Sequence, residues 1–77
     1  MKKEKIYIIK NYYKRLRQWE TDNISFRDMD KAIEYCQSKL TEEENRKTED
    51  LKKRNIISWY EFIGRGYLYE IKEIDLI

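Results

Sequence analysis

Side chains that could do chemistry are sparse in this sequence, and their spacing does not assemble a reaction. There is no histidine and a single cysteine, Cys36. Carboxylates that could bind a divalent cation occur at Asp28 and Asp30 and in the run 42–44. Successive helical residues point in different directions around the axis, so three consecutive glutamates fan out instead of converging in a cleft. With no glycine-rich phosphate loop and no metal-ligand spacing, we predict no catalytic residue, no metal site and no cofactor, and hence a protein that is not an enzyme.

A basic, aromatic block early in the chain is the clearest pattern of a functional type. Residues 1–19 carry seven lysines and arginines against one acid. Aromatic side chains that can stack on bases lie there among cations that can contact phosphates, as in many single-strand binders. The candidate nucleic-acid-binding residues are Lys10, Tyr12, Tyr13, Lys14, Arg15 and Arg17. Half-buried tyrosines and solubilising lysines explain the same pattern, and the pI of about 8.6 is below the strongly basic range of nucleic-acid binders.

A second candidate surface lies in the segment 56–77, where five aromatic residues stand in two runs on either side of a Gly-Arg-Gly sequence. Tyrosine and tryptophan are enriched at the energetic centres of protein interfaces, and an arginine at a hairpin tip can anchor a partner. Protein binding therefore accounts for both the aromatic excess and the missing catalytic groups. The candidate partner-binding residues are Trp59, Tyr60, Arg65, Tyr67 and Tyr69.

Size and composition predict one domain spanning residues 1–77. A chain of 77 residues buries only about 60% of its unfolded surface and cannot support two cores. Charged residues make up 42% of it, but 14% are aromatic and the apolar positions are periodic, so we expect it to fold. A lone cysteine excludes an internal disulfide, and no apolar run approaches the about 20 residues that span a bilayer. We therefore expect a cytoplasmic protein with no membrane partner.

The first elements predicted to position these residues are strands. Residues 4–19 are rich in Ile, Tyr and Trp, and their apolar side chains alternate on two faces. They form either one long bent strand or a hairpin that turns near residues 10–12, where Asn11 tolerates a left-handed conformation. Residues 21–23 are predicted to be a polar turn.

An amphipathic helix is predicted next. Ser25 followed by Asp28 is typical of a helix start, and apolar residues then recur at spacings of three and four. These apolar residues are Phe26, Met29, Ile33, Cys36 and Leu40. Their common face must cover a sheet. Because no histidine is present to activate its thiol, Cys36 is expected to be a small buried apolar residue.

The following segment, residues 41–55, is almost wholly polar and charged. A continuous helix over 26–54 would be roughly 43 Å long, which is too long for a domain whose expected radius of gyration is about 11 to 12 Å. Thr41 with Glu44 repeats the capping pattern. We therefore favour a break near Leu40 and a second, loosely packed charged helix.

The last block predicts a hairpin, because Gly64-Arg65 fits a type II′ turn that would place Phe62 opposite Tyr67. In that register the core face holds Ile56, Ser58, Tyr60, Phe62, Tyr67, Tyr69 and Ile71. The other face holds Ile57, Trp59, Glu61, Ile63, Leu68, Glu70 and Lys72. A three-residue loop that includes Gly66 is the less favoured alternative, because it spreads acidic residues over both faces.

Together these elements predict an α+β fold, ββαββ or βαββ: a small antiparallel sheet with one amphipathic helix packed on one face and a charged helical extension. One helix covers one face, which leaves apolar residues on the other, namely Trp59, Ile63, Leu68 and either Trp19 or the Ile6 and Ile8 pair. Because monomers seldom leave a large apolar patch open, this face predicts a homodimer or partner interface. The alternatives are that residues 41–55 fold back over it or that these residues are scattered.

In general character the chain is similar to accessory proteins made by phages and mobile elements of Gram-positive bacteria. The similarity lies in its small size, its lack of histidine, its richness in lysine and isoleucine and its aromatic hairpin. Many such proteins inhibit a host or immune enzyme by binding it. The similarity implies a small protein-binding module that acts on a host or defence protein in the host cytoplasm. Nucleic-acid binding and plain homodimerisation are the alternatives.

Overall fold

Two antiparallel hairpins join side by side into one sheet, and two helices connect them. The structure, a computed structural model, describes residues 4–76. Its elements are β1 (Glu4–Tyr13), β2 (Gln18–Phe26), α1 (Met29–Ser38), α2 (Glu42–Lys53), β3 (Glu61–Gly64) and β4 (Tyr67–Leu76). The strands are antiparallel and lie in the order β2-β1-β4-β3. The predicted class, a small α+β fold with an antiparallel sheet, is confirmed, and the order along the chain is ββααββ. Lys2 and Lys3 of the basic block lie outside the described residues.

The first hairpin turns at residues 14–17 and not, as predicted, at 10–12. The predicted turn residues stay in β1 because they pair with β2 on one side and with β4 on the other. The carbonyl oxygen of Tyr13 closes the actual turn by accepting hydrogen bonds from the amides of Leu16 and Arg17, at 3.0 and 2.9 Å. Arg17 takes a left-handed φ of 50° there.

Residues 21–23, predicted to be a polar turn, belong to β2. The pairing of β1 with β2 slips in this region, since Lys10 faces Thr21 whereas Ile8 faces Ser25. β2 thus fits extra residues against β1 as a bulge, which lets polar residues remain in the strand.

Helix α1 begins later than the apolar pattern predicted. Ser25 and Phe26 still pair with β1, so Ser25 is not the N-cap residue. Asp28 takes that position, and its carboxylate accepts a hydrogen bond from the amide of Asp30 at 2.9 Å.

A break separates the two helices, and α2 begins with the capping box that the sequence contains. The Thr41 hydroxyl accepts from the Glu44 amide at 3.2 Å, and the Glu44 carboxylate accepts from the Thr41 amide at 2.8 Å. The continuous helix does not form, because α1 ends at Ser38. Contrary to the prediction of loose packing, α2 buries Thr48 and Lys52 against β3.

β3 is shorter than predicted. It begins at Glu61, and residues 54–60 form turns that join it to α2. The predicted strand positions Ile56, Ser58 and Tyr60 on the core face, and Ile57 and Trp59 on the other, are therefore wrong.

The second hairpin has a two-residue loop, but the loop is Arg65-Gly66. Phe62 pairs with Tyr69, so the predicted register is wrong by two residues. The type II′ turn does not form, because the positive φ of 85° belongs to Gly66, the second loop residue. A two-residue shift keeps each side chain on its face. Phe62, Tyr67 and Tyr69 consequently share the core face as predicted.

The core lies between the helices and one face of the sheet. The buried apolar residues are Ile9, Ala32, Cys36, Leu40, Phe62, Tyr69 and Ile71. In β1 and β4 these buried positions alternate with residues that are half-buried or exposed. The sheet is thus covered on one side only.

We call the uncovered side of the sheet the open face. Its apolar residues, placed by the strand pairing, are Ile6, Ile8, Tyr12, Trp19, Ile63, Leu68, Ile74 and Leu76. None of them is buried: five are half-buried, and Trp19, Ile74 and Leu76 are exposed. At the β3 edge, Ile63 also lines a groove with residues of α2. Residues 41–55 do not fold back over it, because α2 packs on the edge of β3 and on the core side. Trp59, predicted here, lies beside α2 instead.

Candidate binding surfaces

The most exposed aromatic residues of the C-terminal half lie in the connection between α2 and β3. Asn55 follows the helix in a left-handed conformation, with a φ of 58°, and turns the chain away from the helix axis. The large side chains that follow point into solvent: Ile56 is 61%, Trp59 62% and Tyr60 41% exposed. Among residues 4–76 this is the densest cluster of exposed large apolar side chains along the chain.

The buried side chain of Lys52 packs against the aromatic residues at this connection. Its ammonium group lies 3.6 Å from the ring centroid of Phe62 and 5.9 Å from that of Trp59. Because the residue is only 3% exposed, burial lowers the pKa of Lys52. A cation held against two aromatic rings orients the exposed Trp59 relative to the core. No local pattern indicated this role, because Lys52 is one lysine among many in a charged segment.

Arg65 occupies the tip of the second hairpin, at the other end of β3 from Trp59. Its backbone amide donates to the carboxylate of Glu44, which fixes the tip to the start of α2. The Tyr67 hydroxyl donates to the same carboxylate at 2.8 Å. Hydrogen bonds from Thr41, Tyr67 and Arg65 lower the pKa of Glu44 to about 2. The Arg65 side chain is left exposed on a fixed backbone.

A groove runs between α2 and the hairpin tip. Its volume is about 400 Å³. It is lined by Thr41, Glu43, Glu44, Lys47, Leu51, Ile63, Gly64 and Arg65. Trp59 and Tyr60 precede β3, and Arg65 follows it beside the groove. We call these three residues and the groove together the α2 surface.

Two of the predicted partner-binding residues are placed differently from the other three. Tyr69 is 6% exposed and belongs to the core, and burial raises its pKa. Tyr67 is half-buried and packs edge-on against Tyr69, with ring centroids 5.6 Å apart. The structure thus brings Trp59, Tyr60 and Arg65 to the α2 surface and places the two tyrosines beneath the helices.

The candidate nucleic-acid-binding residues are divided between both sides of the sheet. Tyr12 contacts Trp19 on the open face, with ring centroids 5.3 Å apart, and Lys10 lies on the same face. The exposed Lys14, Arg15 and Arg17 form the adjoining turn. Tyr13 points to the core side, where its hydroxyl lies 3.4 Å from that of Tyr69.

A partly buried polar cluster on the core side was not predicted. Asp22 accepts hydrogen bonds from the side-chain amide of Asn11 and, at 2.6 Å, from the Tyr35 hydroxyl. This bond, together with burial, raises the pKa of Tyr35 to about 12. Asp22 lies on the core side of β2 because it follows Thr21, which pairs with Lys10 on the open face. It was missed because residues 21–23 were predicted to be a turn.

The groups considered for chemistry are dispersed. Cys36 is fully buried, and burial raises the pKa of its thiol to about 12. Within residues 4–76, no three carboxylate or thiol groups lie close enough together to hold a metal ion. Asp28 caps α1. In the run 42–44, Glu44 bonds to Thr41 at the start of α2.

No protein-family model, no curated protein and no solved structure matches this chain. Within the described part of the chain, neither helix has the length and apolar character needed to cross a membrane.

Proposed function

We propose that this protein is a small non-enzymatic binding module, made by a phage or mobile element, that inhibits a host or defence enzyme by direct contact in the host cytoplasm. The observation that carries the proposal is the exposure of Trp59. A tryptophan that is 62% exposed, beside an exposed Tyr60 and above the Lys52 cation, is a costly feature unless a partner covers it.

The α2 surface adds polar groups of the kind that fix the orientation of a partner. Arg65 presents a guanidinium on a backbone held by Glu44, so little backbone entropy is lost when it binds. The neighbouring groove exposes Leu51 and Ile63 between charged residues. A protein surface with an apolar centre and a carboxylate for Arg65 fits this arrangement.

Affinity purification of the tagged protein from the lysate of a Gram-positive bacterium tests the proposal, with half of the lysate treated with nuclease. We expect one stoichiometric host protein in both halves. Trp59→Ala and Arg65→Ala should lose that protein while their circular dichroism spectra stay unchanged. Leu16→Ala is the matched control for Trp59, because Leu16 is 63% exposed in the turn of the first hairpin. Arg15→Ala serves as the control for Arg65. Equal retention of the partner by all four variants would contradict the proposal.

A second candidate function, binding of single-stranded nucleic acid, is favoured by the Tyr12–Trp19 pair. Its rings lie on the open face directly beside the cationic turn 14–17. None of the ion pairs found among residues 4–76 includes Lys14, Arg15 or Arg17. Stacking rings beside free cations are the elements of a single-strand binding site.

Titration of a fluorescent oligonucleotide at several salt concentrations tests this second candidate. The affinity should fall steeply with salt, and Arg15→Ala should reduce the slope of log K against log salt by about 1. Trp19→Ala should weaken binding by about 1–3 kcal/mol without changing that slope. Absence of binding at low salt would exclude nucleic acid as a partner of this face.

A further inference from the structure

The open face has the composition of an interface. One row of apolar side chains crosses all four strands, and the strand pairing places its members side by side. In strand order this row is Trp19, Tyr12, Leu68 and Ile63. Trp19 is 47% exposed, and at the far end of the same face Ile74 is 36% and Leu76 37% exposed. A row of apolar side chains that spans four strands is seldom left to solvent.

The next row of the open face is charged and is incompletely neutralised within the chain. In strand order it reads Thr21, Lys10, Glu70 and Glu61. Glu61 and Glu70 pair directly across β3 and β4, and like charges in that position destabilise a sheet. None of the ion pairs found among residues 4–76 includes Lys10 or Glu70. The row therefore offers a cation and an anion, side by side, to whatever covers the face.

We propose that a second copy of this chain covers the open face, so that two sheets pack face to face as a two-fold symmetric dimer. The charge order selects the symmetry axis. A two-fold axis parallel to the strands and midway between β1 and β4 places β1 of each copy over β4 of the other. Lys10 then lies over the partner copy's glutamate at position 70, twice in the dimer, and the sheets pack about 10 Å apart.

The same axis also matches the apolar row. It places the Tyr12 position over the Leu68 position and the Trp19 position over the Ile63 position, so apolar residues meet apolar residues. An axis that ran across the strands through the charged row would instead place Lys10 over Lys10 and Glu70 over Glu70. Like charges opposed across an interface cost affinity, so this second arrangement is disfavoured.

The dimer goes beyond the proposed inhibitory function, because it uses the open face, whereas Trp59, Tyr60 and Arg65 lie beside α2. Ile63 belongs to both surfaces, since it lines the groove and stands in the apolar row of the open face. The test variants of the two proposals are at different residues, Trp59 and Arg65 for one and Lys10, Glu70 and Trp19 for the other, so they can fail independently.

Sedimentation equilibrium over protein concentrations that span the micromolar range is the first test. The wild-type chain should be dimeric at the upper end. In a dimer of Lys10→Glu chains, the new glutamate of each copy faces Glu70 of the other copy. In a dimer of Glu70→Lys chains, the new lysine of each copy faces Lys10 of the other copy. Each variant alone should dissociate at least about tenfold more readily than the wild type. An equimolar mixture should restore a heterodimer, because each altered residue then faces its opposite charge.

Lys14→Glu is the matched control, since it makes the same charge change in the turn beside the open face and should leave the dimer intact. If like charges within one chain impair the folding of the Lys10 and Glu70 variants, Trp19→Ala is the alternative test. It should weaken the dimer without a change of charge. Circular dichroism establishes that each variant is folded.

A wild-type chain that stays monomeric at every concentration would overturn the proposal. So would a monomer that binds an oligonucleotide through Trp19. Unchanged dimerisation of the Lys10 and Glu70 variants would overturn it as well, because the contact would then lie elsewhere.

Discussion

The hydroxyl of Thr48 on α2 makes two hydrogen bonds to the backbone of Ile63 on β3. It donates to the carbonyl oxygen at 3.1 Å and accepts from the amide at 3.2 Å. β3 is an edge strand, and its outer backbone groups would otherwise need water or another strand. One side chain from the helix thus completes the hydrogen bonding of the sheet edge at this residue.

Thr48→Val should destabilise the fold by more than about 2 kcal/mol, because it leaves the amide and the carbonyl of Ile63 without a partner in a dry contact. Thr48→Ser keeps the hydroxyl and removes one methyl group, so it should cost only about 1 kcal/mol. Chemical denaturation followed by circular dichroism measures both. A serine variant as unstable as the valine variant would show that packing, and not the pair of hydrogen bonds, fixes α2 to the edge.

Gly64→Ala should destabilise the second hairpin through a clash with Tyr67. A Cβ atom at position 64 would lie 2.2 Å from two ring carbons of Tyr67, and that ring is held by the bond of its hydroxyl to Glu44. Overpacking of this kind costs about 1–3 kcal/mol. The measurement is a double-mutant cycle with Tyr67→Ala.

In that cycle the cost of Gly64→Ala should disappear once the ring is absent. Gly66→Ala is the contrasting control. Its Cβ would meet nothing within 4 Å, so its cost comes from the φ of 85° and should persist in the Tyr67→Ala background. Additive effects of Gly64→Ala and Tyr67→Ala would contradict the proposed clash.

Glu44 should make the stability of the fold depend on acidic pH. Hydrogen bonds from Thr41, Tyr67 and Arg65 lower its pKa in the folded chain from 4.5 to about 2. The unfolded chain therefore binds more protons between those values, so the contribution of Glu44 is complete above about 4.5 and is lost as the pH falls toward about 2. Glu44→Gln should reduce the slope of unfolding free energy against pH in this window. Glu43→Gln, which removes only an exposed pair with Lys47, should leave the slope nearly unchanged.

Lys52 should make the stability of the fold depend on alkaline pH. Burial lowers its pKa below 10.5, so the unfolded chain binds more protons as the pH approaches that value, and the wild-type fold gains stability as the pH rises. Lys52→Met fills similar space without a charge. The free energy of unfolding of the wild type relative to this variant should therefore increase between neutral pH and about 10. Lys53→Met, at an exposed position, should show no such trend. A constant difference for Lys52→Met would mean that the ammonium group is solvated.

The periodic parts of the sequence predicted the structure best. Alternation identified the core face of the second hairpin, and the capping pattern at Thr41 identified the break between the helices. The turn positions were missed because the decisive contacts are long-range. Residues 10–12 stay in β1 through their pairing with β4, and Ser25 loses the helix N-cap through its pairing with Ile8.

The positions of the candidate residues could be anticipated only in part, for a related reason. Residue type singled out Trp59, Tyr60 and Arg65, which the structure leaves exposed. Type alone could not distinguish them from Tyr69, which lies in the core because it pairs with Asn11 and Phe62. The roles of Lys52 and Thr48 depend on where α2 docks. No local pattern carries that information.

The central ladder of the sheet joins β1 to β4, and its pairs run from Glu4 with Leu76 to Tyr13 with Tyr67. Each outer hairpin can form from neighbouring residues, but this ladder must close a loop that contains both helices, so loop-closure entropy opposes it. During synthesis, β4 must emerge from the ribosome before β1 can pair with it as its second neighbouring strand. Until then the nascent chain exposes one edge of β1, and we expect that interval to be when it is most vulnerable to proteases and to aggregation.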